Sequence, residues 1–104
     1  MSLLRRKKGR RGTVRSASSA DLDHLRQFIS TRDGVEAYLE PRTTVTATTV
    51  VLVASSGEWT RRRVDSPEAA AALAKKHTIP LYEAAKVGYP QRMRDWTARR
   101  KAAE

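Results

Sequence analysis

The chain of 104 residues is the length of one ordinary domain and leaves no room for a second core. It has no cysteine, which excludes disulfide staples, thiolate metal sites and cysteine nucleophiles together, and its longest apolar run, Val50 to Ala54, falls far short of the ~18 residues that would cross a bilayer. The net charge of +10 sits at the two ends: residues 1–17 carry +7, residues 18–91 balance nine bases with nine acids, and residues 92–104 carry +3.

Arg5, Arg6, Lys7, Lys8, Arg10 and Arg11 form the first run, interrupted only by Gly9. Met1-Ser2-Leu3-Leu4 passes into this run without an apolar h-region, so no secretory signal is read and the cytoplasm is expected. Leu3, Leu4 and Val14 are too few to offset the entropy of ordering the segment, which predicts a disordered basic tail over residues 1–17 and a single α+β domain over 18–104. Ser18 or Ser19 then offers an N-cap, with Asp21 and Asp23 in the first turn where the helix dipole favours acids. Leu22, Leu25, Phe28 and Ile29 recur at helical spacing, predicting a helix over about 20–31 that Gly34 ends in a left-handed cap.

Beyond Gly34 the period falls to two. Val35, Ala37 and Leu39 alternate with Glu36, Tyr38 and Glu40 before Pro41 stops a first strand. Thr44 to Ala54, rich in β-branched side chains, reads as the longest strand, and Trp59 to Val64 as a third, joined through the turn residues Ser55-Ser56-Gly57-Glu58. Ser66-Pro67-Glu68 sets a cap and a first-position proline for an alanine-rich second helix. Ile79 to Glu83 suits a short fourth strand at a sheet edge, where Pro80 costs no central ladder bond. Tyr89-Pro90 opens a last helix in which Met93 and Trp96 share a face. The fold class is therefore α+β, in the order αβββα(β)α: an antiparallel three-stranded meander, with its edge strand, against two or three helices. The first and second helices each have one apolar stripe, so both are expected on the same face of the meander.

The tail carries the strongest functional signal, since a polycation gains affinity for nucleic acid by releasing condensed counterions. The fifteen arginines against six lysines fit either bidentate phosphate contacts or a GC-rich genome, and both readings stand. On the third strand Trp59, Arg61 and Arg63 share one face. Exposed, they would form a platform for stacking a base; alternatively the arginines pair across the sheet with Glu36, Glu40 or Glu58, the simpler expectation. At the C-terminus Arg92, Arg99, Arg100 and Lys101 extend a basic surface along the last helix. His24 and His77, both expected on helices, sit in no metal motif or triad, and the glycines form no phosphate loop, so no catalytic residue, cofactor or metal site is predicted.

Glu40-Pro41-Arg42-Thr43-Thr44-Val45-Thr46, Gly57-Glu58-Trp59-Thr60-Arg61-Arg62-Arg63-Val64 and Val87-Gly88-Tyr89-Pro90-Gln91-Arg92-Met93-Arg94-Asp95 resemble segments of a family of small basic actinobacterial proteins. That resemblance covers about residues 20–98 and implies no activity or site residue. The αβββα order also resembles the double-stranded-RNA-binding domain, yet Asp65-Ser66-Pro67-Glu68 stands where that family has a glycine-rich turn and lysines, and an acidic helix start repels phosphate. The expectation is a non-enzymatic accessory protein that binds RNA or DNA, with the ribosome as one setting, through its tail and basic C-terminal helix. The alternative is a protein-interaction module that the tail tethers weakly.

Overall fold

In the computed structural model, which describes residues 17–103, the first helix, α1 (Ser19–Thr31), begins at a capping box. Ser18 Oγ accepts the Asp21 N–H at 3.1 Å and Asp21 accepts the Ser18 N–H at 3.0 Å, so each satisfies a donor the helix leaves free. Leu25 and Phe28 are buried on its inner face. The chain leaves the helix at Arg32, which is already extended, and Gly34 spends its φ of +63° on the turn into the first strand rather than on capping the helix. The predicted tail lies outside the described residues up to residue 16; Ala17 is anchored, its N–H donating to Asp65 Oδ1 at 3.2 Å.

β1 (Glu36–Glu40), β2 (Thr49–Val53) and β3 (Trp59–Arg63) form the expected antiparallel meander, with Tyr38 opposite Val51 and Val51 opposite Arg61. β4 (Leu81–Glu83) joins parallel to β1, giving the sheet order β3-β2-β1-β4, and the Ala37 N–H bonding the Pro80 carbonyl extends the pairing. β2 is shorter than its β-branched composition predicts. Thr43 Oγ1 accepts the N–H groups of Val45 and Thr46, so a side chain takes donors that a ladder would need and the chain loops until Thr49.

α2 (Pro67–Lys76) starts where predicted, with Ser66 Oγ capping the Ala69 N–H at 3.0 Å. His77 is its C-cap rather than part of the helix. A single turn, α3 (Ala84–Val87), follows β4 directly, and after Tyr89-Pro90 the last helix, α4, runs from Gln91 to Ala103. No helix among the described residues is long and apolar enough to cross a membrane.

α1 and α2 lie on one face, as their single stripes require: Leu25 and Phe28 from α1 and Ala70 and Leu73 from α2 pack against Ala37, Val50 and Leu52. α4 covers the other face, where Met93 joins Tyr38, Val51 and Val53, with Trp59, Tyr89 and Ala84 at the margin. The meander is thus enclosed on both sides, which the αβββα pattern alone does not require. The first turn of α4 presses on the β2–β3 turn so closely that a Cβ on Gly57 would stand 2.1 Å from the Arg92 carbonyl oxygen. Only glycine fits there, and its φ of +96° also disfavours any other residue.

Candidate nucleic-acid interface

β3 is an edge strand, and its sequence is Trp59 and Thr60 followed by three consecutive arginines, a composition that blunts an open edge against strand addition. Because successive side chains point to opposite faces, Arg61 and Arg63 lie on the α4 side and Arg62 lies with Thr60 beside α1. The three do different things.

Arg61 is committed to a carboxylate. Its Nε and Nη2 donate to Glu40 Oε1 and Oε2 at 2.8 and 2.9 Å, a bidentate pair, while its guanidinium lies 5.5 Å from the Trp59 ring. Glu40 also accepts from Thr49 Oγ1 at 2.6 Å and from the Tyr89 hydroxyl. Burial pushes this carboxyl up, but the Arg61 guanidinium and the two hydroxyls outweigh it and hold it at about 2. Trp59 is fixed as well, its indole N–H donating to Thr97 Oγ1 of α4 at 3.0 Å. The expected cross-strand pairing therefore exists for Arg61, and the Trp59 ring is held against α4 rather than open for stacking, while Arg61 stays partly exposed. Glu36 and Glu58 are taken by other arginines: Arg92 reaches Glu36 Oε1 at 2.7 Å and the Ala54 carbonyl at 3.0 Å, and Arg32 binds Glu58 through two bonds at 2.7 and 3.1 Å.

Arg62 and Arg63 take part in none of the ion pairs formed among the described residues. They border a recess of about 460 Å³ between β3 and the β1–β2 loop, together with Arg61, Thr46, Thr49 and Asp21. Asp21 is the acid at its rim, and its carboxylate is already occupied by the Ser18 N–H, which, with Arg62 and Arg63 nearby, lowers its pKa against the opposing effect of burial. His24 bonds Thr60 Oγ1 at 2.7 Å through Nε2; burial, then the charges of Arg62 and Arg32, depress its pKa and keep it neutral near pH 7.

The ends of β3 carry the remaining basic groups. At its C-terminal end Ala17 is held by Asp65 and lines the same groove as Arg63; Arg5, Arg6, Lys7, Lys8, Arg10 and Arg11 lie outside the described residues. At the other end Arg99 of α4 donates to the Ser56 carbonyl of the β2–β3 turn at 3.1 Å, Arg100 stacks on Trp96 at 5.1 Å, and Lys101 is exposed. Of the basic residues predicted on α4, Arg92 alone turns inward. Sequence reasoning passed over Arg62, whose signal was the unbroken Arg61-Arg62-Arg63 run: on an edge strand such a run puts cations on both faces.

The described residues bring no group of three or more histidine, aspartate or glutamate side chains together at metal-binding distance. Comparison of the chain with models of protein families, with curated proteins and with solved structures gave no significant match.

Proposed function

We propose that the chain is a non-enzymatic nucleic-acid-binding accessory protein that grips the phosphate backbone along the β3 edge, with the basic tail at one end of the strand and the basic half of α4 at the other. The reading is supported by one observation: among the described residues Arg62 and Arg63, on the edge strand, take part in no ion pair, while Arg32, Arg61 and Arg92 are consumed by carboxylates. Five residues at ~3.3 Å each give an edge of roughly 16 Å, close to five nucleotide steps of one duplex strand at ~3.4 Å. Phosphate contacts of this kind position a protein without reading bases, so binding is expected to tolerate sequence.

The test is affinity for duplex DNA and for structured RNA across a range of salt. If all seven basic residues of the tail neutralise phosphates, they contribute a log–log salt slope approaching ~6 on duplex DNA, from about 0.9 per contact. Removing residues 1–16 flattens most of that slope. Replacing both Arg62 and Arg63 by serine lowers it by a further ~2, and Arg61→Ser changes it less because Glu40 already holds that guanidinium. Slopes that survive both changes would refute the β3-edge reading. Absence of binding at low salt would favour the second reading, a protein-interaction module that the tail tethers weakly.

A further inference from the structure

α1 and α2 share one face of the sheet but straddle it, α1 resting on β2 and β3 and α2 on β1 and β4. They run in the same direction. Ala17, just before α1, bonds Asp65, just before α2, and at the far ends Ile29 and Arg32 of α1 lie with His77 and Ile79 around a shared hollow. Between the first two turns of the two helices a slot of about 390 Å³ is left open, within the ~300–1,000 Å³ typical of small-molecule sites.

The alanine-rich sequence of α2 is what leaves it. Ala69, Ala72 and Leu73, one turn apart, are the positions of α2 that face the slot, and the two alanine methyls are too short to reach α1. Leu22 stands half-buried on the opposite wall, and the buried side chains of Val64 and Leu73 give the slot an apolar depth.

The charges around it are unevenly placed. Near the helix starts the Ala17 N–H donates to Asp65 Oδ1 at 3.2 Å, and this bridge from one helix start to the other closes that end. Arg63 lines the same end, so with Asp65 it holds one charge of each sign. About 10 Å further along, seven residues into each helix, Arg26 and Lys76 stand on opposite walls of the mouth. Among the described residues Lys76 takes part in no ion pair, and Arg26 meets only Asp23, at 3.8 Å with both side chains exposed. The net positive charge therefore lies at the mouth.

We propose that this slot binds a free medium-chain carboxylic acid, its aliphatic chain inserted between α1 and α2 toward the closed end and its carboxylate held by Arg26 and Lys76. Hydrocarbon leaves water against Leu22, Ala69 and Leu73, while the charged end stays at the mouth with two charged donors. The chain's own N-terminal residues are excluded by charge, since residues 1–17 would bring +7 to a mouth that is already positive. A slot closed at one end admits a chain terminus and rejects a peptide that must continue in both directions. Its length of about 10 Å suits octanoate or decanoate rather than a long-chain acid.

The test is an NMR titration of the full chain, following backbone amides, with butanoate, hexanoate, octanoate and decanoate below their micellar concentrations, and with 1-octanol and octylammonium as neutral and cationic counterparts. Saturable shifts are expected at Leu22, Val64, Ala69 and Leu73. Affinity should rise about threefold to fourfold per methylene and level off once the slot is filled. Octanol should bind about tenfold more weakly than octanoate, and octylammonium not at all. Arg26→Gln combined with Lys76→Gln brings octanoate to the affinity of octanol and leaves octanol unchanged; both residues are exposed, so the amide spectrum of the remaining fold is kept. Neither lies on the β3 edge, so the outcome is independent of the phosphate-backbone reading. Shifts confined to the basic N-terminal residues, affinity indifferent to chain length, equal binding of octylammonium, or binding that appears only after residues 1–16 are removed would overturn the proposal. Tighter binding of an acidic amphipathic peptide than of any acid in the series would also overturn it, by making the slot a protein-docking surface.

Discussion

Toward α1 and α2 the sheet presents Ala37, Val50, Leu52 and Ala54, and what meets them is Leu25, Phe28, Ala70 and Leu73, hydrocarbon against hydrocarbon. Toward α4 it presents Glu36, Tyr38, Glu40, Trp59 and Arg61 around Val51 and Val53, which meet Met93 of α4, and contact is made largely through directed bonds. The first face depends on area removed from water, which is indifferent to pH and only weakly sensitive to salt. The second depends on particular partners at particular distances, so it specifies geometry and responds to solution conditions.

The contrast is sharpest for truncation of the two centres. Leu52 is fully buried on the aliphatic face, and Leu52→Ala is expected to cost about 3–4 kcal/mol; Met93, in the centre of the α4 face but 9% exposed, should cost about 2 kcal/mol when cut to alanine. Urea unfolding followed by far-UV circular dichroism measures both, and equal losses would remove the distinction between the faces. Next in size is Gly57→Ala. It brings a methyl group into the Arg92 carbonyl and puts a side chain at positive φ, so about 2–3 kcal/mol should be lost. Near-UV circular dichroism should then lose the signal of Trp59 and Trp96 packed at that junction while the helical signal of α1 and α2 persists.

An acid titration probes the α4 face by itself. Glu40 is held at about 2, below the ordinary 4.5, so its pairing stabilises the fold fully above about 4.5 and that contribution is lost as pH falls toward about 2. A shift of this size corresponds to about 3 kcal/mol at 1.36 kcal/mol per unit, and solvent screening of a carboxylate that is 21% exposed reduces it to about 2 kcal/mol. Glu40→Gln should therefore flatten the stability profile between pH 4.5 and 2 relative to the unaltered chain, as read from unfolding midpoints. Unaltered steepness would mean that Arg61 and Tyr89 do not hold this carboxylate. The smallest effect is expected at Arg32 and Glu58, a pair that is bidentate yet about a third exposed on each side: Arg32→Ala should cost less than about 1 kcal/mol, and less again at high salt.

Much of the chain follows from neighbours in sequence. Ser18 with Asp21, and Ser66 with Pro67, set both helix starts because a cap and its helix lie within one turn of each other. The three-stranded meander follows from period-two patterning and a short turn, and the edge placement of β4 from Pro80, which has no N–H to give a ladder. Where local chemistry competed with that patterning the sequence was harder to read: Thr43 captured two N–H groups and delayed β2.

Tertiary structure decided the parallel pairing of β4 with β1, the covering of the second face by α4, and the choice of carboxylate for each arginine. Glu36, Glu40 and Glu58 were all candidates for Arg61 and Arg63; the register aligns Arg61 with Val51 and Tyr38, and Arg63 with Thr49 and Glu40, yet it is Arg61 that reaches Glu40, diagonally across the sheet. The packing of Tyr82 and Tyr89 on Tyr38 was invisible for the same reason. Tyr38 and Tyr82 meet through a parallel strand pair, and Tyr89 reaches Glu40 from 49 positions away, after a backbone turn that glycine alone permits. Local patterning carries information over a helical turn or a strand pleat. Which distant side chains become neighbours is settled by packing, when both faces of the sheet have to be closed.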